Sequence, residues 1–167
     1  TTANISTSIT RVELGNDSTT SRANYIGGAA YNANSAATTV TGGAGEFTIV
    51  LDNVLAASLT AIDTGTAGTD SVTIQNSGSA LNVFAAQAIV STGYETVTIN
   101  TGSTGAVTAQ TVSTIAVTAD GASDTSVKFT GANSISTSGA ITAKTIDASG
   151  LTGSAALTMS VAAASVS

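Results

Sequence analysis

The chain has 167 residues and a formal net charge of −6; 42% of it is apolar and only 8% charged, with no Pro, Cys, His or Trp. Without Cys there are no disulfides or thiolate sites, and without His the commonest general base and transition-metal ligand is missing. Four basic residues (Arg11, Arg22, Lys128, Lys144) against ten acidic ones argue against nucleic-acid binding, and no run nears the roughly eighteen apolar residues of a membrane helix.

Residues 1–45 carry both Arg, two of the three Tyr and the small-residue run AAYNANSAATTVTGGAG. They read as an irregular, strand-containing segment, a candidate assembly arm, ahead of a regular region over 46–167. Asn4-Ile5-Ser6 and Asn16-Asp17-Ser18 match the glycosylation sequon, a chance-prone pattern in a Ser/Thr-rich chain. The regular region opens with EFTIVL at 46–51. Over Asp52–Ile62 the apolar residues Val54, Leu55, Leu59 and Ile62 recur at helical spacing, so a short helix or irregular bridge is expected there.

Beyond it follow DSVTIQ, ALNVF, ETVTIN, GAVTAQ, STIAVTAD, SVKFTG, GAITAKTID and ALTMSV, separated by Gly, Asn, Asp and Ser clusters. Each reads as a short strand in which apolar residues and Thr alternate. Two of them match position by position: Asp70-Ser71-Val72-Thr73-Ile74-Gln75 and Glu95-Thr96-Val97-Thr98-Ile99-Asn100. Phe47, Ile49 and Leu51 after Glu46 form a weaker echo one period earlier. Downstream, Val97, Val107, Val117 and Val127 stand ten apart.

Two strands per turn of about 20–25 residues predict an all-β, right-handed parallel β-solenoid. An antiparallel β-sandwich is the alternative, although sandwiches use more aromatic residues and show no register repeat.

The stretch GTAGTDSVT at 65–73 approaches the calcium-binding nonapeptide GGxGxDxUx, with Thr66 in place of the second Gly. Stacking in register would put Asp70 and Glu95 about 4.8 Å apart. Carboxylates that close either splay into solvent or share a bridging divalent cation. Asp120 and Asp124 bracket a second oxygen-rich turn that could chelate or simply turn the chain, and Asp147 could close its own turn through an Asx hydrogen bond. The candidate metal ligands are therefore Asp70, Glu95, Asp120 and Asp124, with calcium as the cofactor. No G-x-S-x-G elbow and no aromatic platform accompany the carboxylates, so no enzyme is expected. A Thr ladder for ice binding would be interrupted at Ser71 and Lys128.

Gly93-Tyr94-Glu95-Thr96-Val97-Thr98-Ile99-Asn100 and Thr145-Ile146-Asp147-Ala148-Ser149-Gly150-Leu151-Thr152-Gly153 resemble recurring phrases of bacterial surface-layer proteins of the Caulobacter type, within the wider RTX class. The resemblance spans roughly 59–161 and lacks a tandem array of full nonapeptides. It implies a secreted, extracellular solenoid that assembles with copies of itself into a calcium-stabilised lattice at the cell surface, where polysaccharide is a further partner. A filament subunit built by strand addition, or an adhesin segment, is the rival expectation.

Overall fold

The computed structural model describes residues 2–4, 10–14, 37–42, 45–52, 54–66, 68–78, 81–103, 109–120, 124–160 and 164–165. Within them the chain alternates between two sheets. The first holds β1 (Thr2–Asn4), β3 (Thr38–Thr41), β5 (Leu59–Ile62), β7 (Gln87–Gly93), β9 (Gln110–Ala119), β11 (Ile135–Thr137) and β14 (Leu157–Met159) in that order, with β12 (Ile141–Thr142) beside β9 and β15 (Ala164–Ser165) beside β12. The second holds β2 (Arg11–Leu14), β4 (Glu46–Leu51), β6 (Ser71–Asn76), β8 (Thr96–Asn100), β10 (Ser126–Gly131) and β13 (Thr145–Leu151).

Every pairing among these strands is parallel, which corrects the antiparallel alternative. Parallel neighbours need a long return connection, and here each return passes through the opposite sheet. From the segment 1–45, β1, β2 and β3 pair with strands of these sheets.

Alternation along each strand decides what faces inward. In β6 and β8 the residues Val72, Ile74, Val97 and Ile99 are buried, while the Thr and Ser between them are only partly covered. Register then stacks like on like: Val12, Ile49, Ile74, Ile99 and Phe129 form one inward file, and Phe47, Val72, Val97, Val127 and Ile146 another. Leu59, Ile89, Ile115 and Ile141 line the facing sheet. Medium-sized branched side chains fill a narrow two-sheet core, and β-branching suits them to the pleat.

Several expected elements took another form. No helix occurs among the described residues; Asp52–Ile62 ends in β5, with Leu59 and Ala61 buried and Leu55 inserted ahead of them. ALNVF is not a strand but a connection that buries Val83 and Phe84, and the strand follows at β7. GAITAKTID divides between β12 and β13, on different sheets. Most of GAVTAQ, Val107 included, lies outside the described residues, as does the second sequon.

Candidate functional site

The residue immediately before each of β4, β6, β8, β10 and β13 occupies one stacked position: Gly45, Asp70, Glu95, Thr125 and Lys144. Asp70 and Glu95 therefore meet in successive layers, as the repeat predicts, but their oxygens serve backbone amides. Asp70 Oδ1 accepts from Gly45 N at 2.9 Å, and Glu95 Oε2 accepts from Asp70 N at 2.7 Å. Glu95 Oε1 accepts from Asp120 N at 3.4 Å, so both of its oxygens are engaged. Thr125 Oγ1 repeats the device further along, accepting from Lys144 N at 2.9 Å. These side chains satisfy amides where the strands begin, and burying them requires such partners.

A third carboxylate arrives from the opposite sheet. Asp63 follows β5 directly, its amide donating to Thr92 O at 2.8 Å and its Oδ1 accepting from Gly65 N at 2.9 Å. It sits against Gly93, where a Cβ would lie 2.9 Å from Asp63 Cβ and 3.0 Å from its carbonyl oxygen, and whose φ of +90° suits glycine. Asp63 and Asp70 thus flank the connection from β5 to β6. They are only 6% and 3% exposed, and Glu95 is 5% exposed. Tyr94, fully buried beside them, donates its hydroxyl to Gly42 O at 2.7 Å. Burial, followed by the charges of Asp63 and Asp70, pushes the Tyr94 phenol well above its usual range.

One oxygen on each aspartate has no hydrogen-bond partner: Asp63 Oδ2 and Asp70 Oδ2, both buried. The Asp63 carboxyl lies close enough to Asp70 for the two to share a hydrogen bond once either is protonated. Burial, with Asp63 adding to it, pushes the Asp70 carboxyl from 3.8 up to about 6. A folded-state pKa above the unfolded one gives stability that is fully present below about 3.8 and lost as pH rises through about 6. In chelated protein, the thermal midpoint is therefore expected to fall between pH 5 and pH 7.5, and Asp70→Asn to flatten that fall. A midpoint indifferent to pH over this window would show that Asp70 titrates normally.

The remaining predicted ligands lie apart from this cluster. Asp120 contributes its amide to Glu95, and the exposed Asp124 pairs with Lys144 Nζ at 2.6 Å. Residues 121–123 between them lie outside the described set. Asp147 Oδ1 accepts from Ser149 N at 2.8 Å, the expected Asx bond, and the Ser149 side chain, followed by this backbone bond, holds its carboxyl below the usual range. Among the described residues no group of three or more Asp, Glu, His or Cys is arranged to hold a metal ion. Asp63 was missed in the sequence because it stands outside the repeated phrase; its only signal was a lone acid after an apolar Leu-Thr-Ala-Ile run.

At the far end of β6 and β8 is a cavity of about 290 Å³ whose lining includes Gln75, Asn76, Asn100 and Thr152 and no titratable side chain. Asn76 and Asn100 each fold an Oδ1 back onto the amide two residues on, at 2.9 Å. The site geometry thus comprises a buried acidic cluster on one side and a neutral amide-lined hollow on the other. No protein-family model, curated protein or solved structure matches the chain.

Proposed function

We propose that this chain is a right-handed β-solenoid that works outside the cell as a structural protein, associating with copies of itself into a calcium-assisted surface layer. The observation that carries this reading is the outward face of the second sheet. There Thr48, Thr73 and Thr98 stand in register across the three central layers, with Arg11 in the layer before them and Lys128 and Asp147 in the layers after. The central layers of this face, in β6 and β8, are hydroxyl- and amide-bearing and uncharged, so they can pack against their like without desolvating ions. Alternation of consecutive strands between two parallel sheets supports the solenoid, and the general handedness of parallel crossovers supports a right-handed one. The absence of His and Cys from the whole chain favours a structural over a catalytic role.

Negative-stain microscopy of the purified chain, with calcium and then with chelator, tests this. Two-dimensional sheets that dissolve on chelation are the expected result. Fibres indifferent to calcium would favour a filament instead, and a monomer at every concentration would overturn self-assembly.

A further inference from the structure

We propose that Asp63 and Asp70 together bind one hard divalent cation, with calcium the best fit, at the connection between β5 and β6. This does not depend on assembly and is testable on a single chain in solution. The two carboxylates are more than nine-tenths buried, and each uses only Oδ1 within the protein, for Gly65 N and Gly45 N. Both Oδ2 atoms are left without a partner in the same cluster. Native proteins rarely leave buried carboxylate oxygens unmatched, because a buried charge needs a partner.

No side-chain cation supplies that partner among the described residues. Arg11 is paired with Glu13 at 3.6 Å and Lys144 with Asp124 at 2.6 Å, both on the exposed surface. Lys128 stands on the outward face opposite Asp147, and Arg22 lies outside the described residues. The titratable groups that do face the pair make matters worse for two bare anions: Glu95 adds a third negative charge, and Tyr94 is neutral with its hydroxyl committed to Gly42.

A single proton shared between the two Oδ2 atoms would match them but leave the three-carboxylate cluster doubly negative. A divalent ion matches both oxygens and neutralises more of the charge. The oxygen-only donor set, with two carboxylates and the remainder of the shell from backbone carbonyls and water, suits calcium. Glu95 then takes no part as a ligand, since both of its oxygens already hold amides. Its role is to fix Asp70 in place.

The test uses the full chain, stripped with chelator and held at pH 7.5. Terbium serves as a luminescent calcium surrogate, with the buried Tyr94 as the adjacent sensitiser. The expected result is tyrosine-sensitised emission saturating at one ion per chain and displaced by calcium. Calcium should also raise the thermal midpoint in a concentration-dependent way. Asp63→Asn should weaken binding at least tenfold, while Glu13→Gln, on the exposed surface, should leave it unchanged. If Asp63→Asn fails to fold, calorimetric titration of the wild-type chain still decides: no calcium uptake at millimolar concentration and pH 7.5 overturns the site. Binding by Asp63→Asn equal to that of wild type overturns it as well.

Discussion

Ile74→Ala is expected to destabilise the protein by about 3.5 kcal/mol, the middle of the range for truncating a buried Ile side chain to Ala. Ile74 is fully buried at the centre of the inward file, with Ile49 in the layer before it and Ile99 in the layer after. Truncation leaves a cavity bounded on both sides by strands whose hydrogen bonds prevent collapse, so little relaxation offsets the loss. Domains of this size usually hold about 5–15 kcal/mol of net stability, and the variant should lose a large part of that. Thr73→Ala, the neighbouring outward position, should change stability by no more than about 0.5 kcal/mol. Chemical denaturation followed by circular dichroism measures both. Equal effects at 73 and 74 would mean that the burial alternation of β6 is assigned to the wrong face.

Gly131→Ala carries the second large effect, about 3 kcal/mol or more, from backbone strain and collision together. Residue 131 ends β10 with φ at +107°, a conformation that side chains resist. An added Cβ would lie 2.5 Å from Thr101 Oγ1, 2.8 Å from Gly102 O and 3.0 Å from Gly102 N. Two of those atoms are backbone. The Gly102 carbonyl is held by Ala132 N at 2.8 Å, and the Gly131 carbonyl by Thr152 N at 2.9 Å, so neither side yields cheaply. Gly78→Ala separates the two causes: its φ is +105°, yet nothing lies within 4 Å of the added carbon. It should cost only about 1–2 kcal/mol, the strain alone. If the two alanine variants unfold alike, the close packing at Gly131 contributes nothing.

The repeat was the most informative part of the sequence. Matching Asp70–Gln75 with Glu95–Asn100 predicts the β6–β8 register residue for residue, and the structure pairs Val72 with Val97 and Ile74 with Ile99. The period-2 alternation within these strands also assigned their inward faces. Connections were harder to read. Leu55, Leu59 and Ile62 fit a helical spacing equally well, and a short apolar run does not distinguish a helix turn from a buried connection followed by a strand. Here the amide of Leu55 donates to Val83 O at 2.8 Å, a long-range bond with no local signal. ALNVF misled for the same reason: Val83 and Phe84 are apolar because a connection buries them in the core, not because they alternate along a strand.

The sequence by itself determined that the chain is β throughout its repeat, that like residues stack, and that Asp70 and Glu95 share a column. All three are properties of spacing, which survives in one dimension because each layer repeats the one before. Only the tertiary structure decided what those carboxylates do. Whether Glu95 reaches an amide or an ion depends on where Asp70 N and Asp120 N point, and no spacing encodes that. The meeting of Asp63 with Asp70 depends on how the chain leaves the first sheet after β5, where Gly93, at the end of the neighbouring β7, has no side chain to keep the Asp63 backbone away.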